Sequence, residues 1–255
     1  MLEVINVTKR FGGLVANSEI SFTLKEGEIM GIIGPNGSGK TTMFNMITGF
    51  LDPTEGDIRF CGDSIVKYKP YEILGLGIAR TFQITNILPN ITVEDNLLYA
   101  LFSQIDLNMA QCILRGRKFR REEAKAKERI NEVLELLQLT EIRTELASKI
   151  PPAVQRRLMI ANALASNPKL ILLDEPAAGT SADEQLELVE MLRKIRDTGV
   201  SILIIEHNMR LVMNLCEHIV AFDFGKKIGD GTPDEIRKNQ AVIDAYLGEA
   251  NDAKD

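Results

Sequence analysis

The chain has 255 residues, enough for one large or two small domains around a substantial core. Its composition is globular, 45% hydrophobic and 26% charged, without repeats or low-complexity tracts. A net charge of −6 argues against binding driven by nucleic-acid phosphates, and no apolar run approaches the ~20 residues that span a bilayer.

The segment "MLEVINVTKR" (1–10) alternates as a strand does and has no apolar signal core. "EIMGIIG" (28–34) is a short apolar run closed by glycine, and "KTTMFNMITGF" (40–50) follows with helical spacing. That order predicts a buried strand, a tight loop and a helix. From "NITVEDNLLYALFSQ" (90–104), with Thr92 as N-cap, to "AVQRRLMIANALAS" (153–166) the chain reads as helical throughout. Residues 84–162 are therefore expected to form a helical subdomain inserted into an α/β core. Within it "RGRKFRREEAKAKER" (115–129) interleaves positive charges with glutamates and reads as a solvated helix face.

Two more apolar runs, "KLILLDE" (169–175) and "SILIIEH" (201–207), flank "SADEQLELVEMLRKIRDTG" (181–199). The latter reads as an amphipathic helix with Leu186, Val189, Leu192 and Ile195 inward and a stop at Gly199. Strands alternating with helices indicate a mostly parallel sheet covered on both faces. "TPDE" (232–235) supplies an N-cap, a proline at the first helical position and a glutamate at the third, which predicts a last helix. "EANDAKD" (249–255) reads as a disordered tail. Cys61, Cys112 and Cys216 are scattered, which fits a reducing compartment better than disulfides or a zinc site.

"GPNGSGKTT" (34–42) matches G-x-x-x-x-G-K-[ST] between a strand and a helix, the context its mechanism needs. Gly34, Gly37 and Gly39 permit backbone conformations that aim N–H groups inward, and the helix adds the positive end of its dipole. Pro35, Asn36, Ser38 and Thr42 complete the expected cradle. Lys40 is expected on the β- and γ-phosphates of ATP, and the Thr41 hydroxyl on Mg²⁺. In "LILLDEP" the acid Asp174 ends a buried strand, where it can hold the Mg²⁺ shell. Glu175 beside it can orient or deprotonate the attacking water.

Together these segments resemble the ATP-binding subunit of an ABC transporter, over nearly the whole chain. The resemblance implies an α/β P-loop NTPase fold: a mostly parallel core sheet, an N-terminal antiparallel β subdomain and an inserted helical subdomain. It implies one domain over 1–255, with core segments 1–83 and 163–231, helical residues 84–162 and a C-terminal helix and tail from 232. "RTFQ" (80–83) resembles the family's Q-loop, with Gln83 near the metal and water. "IIEH" (204–207) resembles the switch segment, with His207 on the γ-phosphate. "GTSAD" (179–183) occupies the D-loop position, so Asp183 is expected at a dimer seam, and "KRFGG" (9–13) offers Phe11 to stack on adenine. His218 matches no family role and reads as structural.

The chain is most similar to importer ATPases for polar and branched-chain amino acids, through "RFGGLVA", "IARTFQITNILPNITVEDNLL", "DEPAAG", "EHNMRLVM", "GDGTPDEI" and "AYLGE". Amide or urea importers and some lipid-export ATPases share several of these. Membership implies a second ATPase subunit (a paralogue, or an identical copy), two integral membrane permease subunits and, indirectly, a solute-binding protein. It implies a peripheral place on the cytoplasmic face of the membrane and no nucleic acid.

One segment departs from the pattern. Where the family reads close to L-S-G-G-Q, this chain has Ile150, Pro151, Pro152, Ala153 and Val154. The prolines lack N–H groups, Ala153 adds a methyl and Val154 has no side-chain amide. A helix start of this kind normally offers its free N–H groups to the γ-phosphate bound by the other subunit. The expectation is a weakened signature beside an intact phosphate loop, giving one competent and one impaired composite site with a different partner. Two alternatives stay open: a poorly hydrolysing regulatory subunit, and a DNA-maintenance ATPase, though the latter needs a long coiled-coil insertion that is absent.

Overall fold

Alternating apolar residues at the amino terminus build β1 (Leu2–Phe11), which turns at Gly12–Gly13 into antiparallel β2 (Leu14–Leu24). On its other side β1 pairs with β4 (Glu55–Phe60), which pairs with the short β5 (Asp63–Ser64). The registers Leu2↔Leu24, Val4↔Phe22, Leu2↔Phe60 and Val4↔Ile58 set one buried apolar face on this antiparallel sheet. The computed structural model describes residues 1–81, 87–101 and 116–252, with side chains through Tyr246. The chain divides into two units, Met1–Arg80 with Lys169–Asp255, and Thr81–Pro168.

The second sheet of the first unit has the order β10-β9-β3-β8-β7-β6. Its strands β3 (Ile29–Ile33), β7 (Leu170–Asp174) and β8 (Ser201–Ile205) are buried at every residue. This is why the sequence shows them as unbroken apolar runs: parallel strands covered on both faces have no solvent side to alternate with. β6 (Ile78–Arg80) and β9 (His218–Asp223) also run parallel to their neighbours, and β10 (Lys226–Gly231) closes one edge antiparallel to β9. Helix α1 (Lys40–Ile47) buries Met43, Phe44, Met46 and Ile47, and α2 (Pro70–Leu76) precedes β6. Full burial of such side chains contributes roughly 1.5–3 kcal/mol each.

The second unit is not helical throughout. It holds α3 (Val93–Leu101), α4 (Arg117–Leu136), a 3₁₀ turn at Thr140–Ile142 and α5 (Pro152–Ala165). Thr92 caps α3 as expected, its Oγ1 accepting the Asp95 N–H at 3.1 Å. Between α4 and α5 the helix breaks because Gln138 turns left-handed (φ 56°) and Pro151–Pro152 disfavours helix before it. The intervening backbone instead bonds along the start of α3, with Val93 N–H to Glu145 O at 3.0 Å and Ala147 N–H to Ile91 O at 3.0 Å. The expected boundary at 162–163 falls inside α5. The basic run lies on α4, where Ala126, Ile130, Val133 and Leu134 are buried and Lys125–Glu122 and Lys127–Glu123 pair at 2.8 and 3.1 Å on the exposed side.

Three further helices belong to the first unit. In α6 (Ala182–Asp197) the buried stripe is Leu188, Val189, Leu192 and Ile195, whereas Leu186 is 58% exposed. The inward face starts two residues later than the sequence placed it, since Leu188 rather than Leu186 shares the 192/195 side. After α7 (Met209–Leu215) the C-terminal segment forms two helices instead of one, α8 (Pro233–Lys238) and α9 (Gln240–Asp252). Asn239 breaks them apart and recaps the second, its Oδ1 accepting the N–H of Ala241 at 3.0 Å. Residues 249–252 continue α9 rather than forming a disordered tail, and residues 253–255 lie outside the described ones.

Candidate nucleotide site

Strand register brings the candidate residues to one edge. Ile32 pairs with Ile205, and Ile205 with Asp174, so the carboxyl ends of β3, β8 and β7 are level. The loop after β3 carries residues 34–39, the end of β7 carries Asp174 and Glu175, and two residues past β8 stands His207. Ligands collect at this edge of open α/β sheets.

The loop itself is built around backbone space. A Cβ on Gly34 (φ 147°) would lie 2.1 Å from the Phe222 carbonyl oxygen, and one on Gly39 (φ 101°) 2.5 Å from the Ala16 oxygen. No other residue fits either place. Lys40, 7% exposed, folds its amine back on the loop, donating to Gly34 O at 2.7 Å and Pro35 O at 2.8 Å. Asn36, Gly37 and Thr41 are exposed, and Thr42 is half-buried. Ser38 is buried, and its hydroxyl has no hydrogen-bond partner among the described residues. Helix α1 has no side-chain cap and no acid in its first turn, whereas α6 and α8 are capped by Ser181 and Thr232. An uncapped helix start with an orphaned hydroxyl beneath it is an arrangement that fits a bound phosphate.

Asp174 is buried and paired. Its Oδ2 accepts from Arg80 Nη2 at 2.9 Å, with both side chains 6% exposed. The Arg80 Nη1 reaches Asn45 Oδ1 at 2.7 Å, and its guanidinium carbon lies 5.5 Å from the Phe44 ring centre, so α1 and β7 share one anchor.

Glu175 has a left-handed backbone (φ 49°) and donates its N–H to Ile205 O at 2.9 Å. His207 Nδ1 lies 3.4 Å from Glu175 Oε1. Glu206, the residue before His207, is 1% exposed and accepts the Ala177 N–H at 2.8 Å. Burial pushes the Glu206 carboxyl above its ordinary value of 4.5, against the pull of its backbone donors. The folded chain therefore holds this proton more tightly than the unfolded one. The stabilisation is complete below pH 4.5 and is lost as pH rises through the higher folded value. Glu206→Gln, which keeps an acceptor for Ala177 but does not titrate, is expected to flatten that part of the stability profile. Thermal melting of both proteins across the acid-to-neutral range checks it, and identical profiles refute it.

Other expected site residues are placed without being joined to this edge by any described contact. Phe11 is 45% exposed at the end of β1, with Lys9 Nζ 5.2 Å from its ring centre. Asp183 is exposed in the first turn of α6. Gln83 lies outside the described residues, as does Cys112. Cys216 is buried, and burial raises its thiol pKa far above the ordinary value. His218 bonds Asp230 Oδ1 at 2.6 Å through Nε2.

The departure at 150–154 also has a definite form. Pro151 is the N-cap of α5 (φ −59°, ψ 153°), and no side chain caps the helix. The first turn keeps the amides of Ala153 and Val154, while Gln155 N–H bonds Pro151 O at 2.9 Å. The Gln155 side chain turns back to Ala147 O and Ile150 O at 3.2 and 3.1 Å.

Three contributors have no local signal. Asn17, fully buried, donates to Gly39 O at 3.3 Å; Tyr246 hydroxyl accepts the Gly34 N–H at 2.9 Å; and Arg80 holds Asp174. Arg80 lies in "RTFQ" and Tyr246 in "AYLGE", but neither segment indicates the distant residue it bonds.

Comparison with known proteins shows the family. The family model for ABC transporters matches residues 17–178, and one for branched-chain amino acid ATP-binding cassette transporters matches residues 226–252. The chain is 41% identical over 251 residues to the high-affinity branched-chain amino acid transport ATP-binding protein BraF of Pseudomonas aeruginosa, covering 98% of each. It is 39% identical to the corresponding protein LivG of Escherichia coli K12, again covering 98% of each. The crystal structure of the ADP conformation of MJ1267, an ATP-binding cassette of an ABC transporter, superposes with a TM-score of 0.83 at 31% identity. That match covers 97% of this chain and 98% of the other. The chain belongs to the ABC transporter family, as an ATP-binding cassette of its branched-chain amino acid group.

Proposed function

We propose that this chain is the ATP-binding and hydrolysing subunit of an importer for branched-chain amino acids or related small polar solutes. The observation that supports it best is the level edge of β3, β8 and β7, which gathers the phosphate loop, the Asp174–Glu175 pair and His207. On this reading residues 1–255 form one ATPase domain with Thr81–Pro168, rather than the expected 84–162, as its inserted unit. It sits peripherally on the cytoplasmic membrane face. Two such subunits close on nucleotide bound between them and move two permease subunits served by a solute-binding protein.

In this reading Lys40 leaves the carbonyls of Gly34 and Pro35 for the β- and γ-phosphates, and residues 34–42 wrap them with backbone N–H groups. Thr41 and Asp174 would hold Mg²⁺, with Gln83 proposed as a further ligand, an oxygen donor set suited to a small hard cation that keeps several waters. Mg²⁺ held by these residues would supply positive charge against the phosphates. Glu175 orients and deprotonates the water, His207 contacts the γ-phosphate, Phe11 stacks on adenine and Asp183 meets the partner subunit.

The test separates binding from chemistry. A fluorescent ATP analogue should bind the wild type saturably, and Lys40→Ala should abolish this binding. Glu175→Gln should retain binding while single-turnover phosphate release falls by about 10²–10⁴. A wild type that binds no nucleotide, or a Glu175→Gln variant that hydrolyses normally, overturns the proposal.

A further inference from the structure

Gly34 opens the phosphate loop and is held at three points. Behind it the Phe222 carbonyl fills the space of a side chain; its own carbonyl accepts from Lys40 Nζ at 2.7 Å; and its N–H donates to the Tyr246 hydroxyl at 2.9 Å. The first contact is steric. The second is the one that phosphate would draw away, since Lys40 has to move to reach a nucleotide. The third is a directed bond that does not involve Lys40, and it acts at the first residue of the loop, whereas Asn17 Nδ2 to Gly39 O (3.3 Å) and Gly225 N–H to Ser38 O (3.1 Å) hold its far end. The tyrosine comes from α9, 212 residues away in sequence.

That helix also borders a cavity with its neighbours. Val242 and Ile236 are 3% and 1% exposed, and with Tyr246, Met209 and Met213 they line a cavity of about 780 Å³ between α7, α8 and α9. Helix α7 begins two residues after His207. The C-terminal helix thus bonds the loop before Lys40 and shares a cavity with the helix that follows His207.

We propose that Tyr246 is a positioning residue for the phosphate loop, fixing the Gly34 amide so that the cradle exists before nucleotide arrives. The inference rests on nucleotide binding at residues 34–42 and names the group that sets its affinity. Without the hydroxyl, the buried Gly34 N–H loses its acceptor and the loop relaxes into arrangements that cannot bind. Apparent affinity then falls by the fraction of chains still competent.

The test is Tyr246→Phe in the full chain, which deletes one oxygen and keeps the ring. Loss of a hydrogen bond of ordinary strength predicts dissociation constants for fluorescent ADP and ATP raised about threefold to tenfold. KM for ATP should rise in step while kcat at saturation stays within about twofold, because the reacting groups are untouched. Amide hydrogen exchange over residues 33–38 should accelerate in the nucleotide-free variant. Tyr71→Phe, on an exposed tyrosine of α2, should change none of these. A Tyr246→Phe variant with wild-type affinity and exchange overturns the inference. So does one whose melting temperature and kcat fall while affinity holds, which marks a merely structural hydroxyl. A wild type that binds no nucleotide overturns the proposed function too, so the two failures are distinguishable.

Discussion

The combined substitution Pro151→Ser, Pro152→Gly, Ala153→Gly and Val154→Gln is expected to raise steady-state phosphate release by the isolated chain about 10²–10⁴-fold. The start of α5 now offers only the Ala153 and Val154 amides, without a side-chain cap, and the Gln155 side chain is committed to Ala147 and Ile150. The substitutions add two backbone N–H groups, a hydroxyl and a side-chain amide. Each charge-assisted bond to an anion contributes roughly 1.5–3 kcal/mol, so one or two regained in the transition state account for the rate. The helix downstream should persist, because its buried stripe from Leu158 to Ala165 is unaltered. Phosphate release and light scattering on the same samples decide the matter. If dimers form and the rate does not move, the weakened signature is not what limits this chain.

Arg80→Met is expected to destabilise the protein by about 3–5 kcal/mol, because it strands the Asp174 carboxylate without its buried partner. For a chain of this size that lowers the melting temperature by roughly 6–20 °C. An exposed pair would cost about 1 kcal/mol at most, so calorimetry separates the two cases. Arg80→Lys should recover only part of the loss. A lysine restores the charge but not the fork that spans Asp174 and Asn45, nor the flat stack on Phe44. A loss below about 1 kcal/mol for Arg80→Met would show that water reaches the pair.

The core strands and the phosphate loop were legible because their physics is local. A parallel strand buried on both faces has to be apolar throughout, and a loop that approaches a phosphate needs glycine at fixed spacings. Pairing across the sheet was not legible. Asn17 and Gly39, Arg80 and Asp174, and Gly34 and Tyr246 are 22, 94 and 212 residues apart, and nothing in either neighbourhood announces the other. The apolar period also misplaced Leu186, since a helix shows several leucines and only packing chooses which face turns inward. Nor could it register the left-handed Gln138 that breaks the middle segment, because a single backbone angle leaves no trace in hydrophobicity.

Glu175 occupies a backbone conformation that costs about 1–2 kcal/mol for any residue with a side chain, and glycine would sit there at ease. Heat resistance and turnover therefore pull this position in opposite directions. A library screened only for survival at high temperature would drift toward glycine and shed the carboxylate. Retention of the acid under such a screen would mean that the neighbouring loops, through Ile205 and Glu206, absorb the distortion.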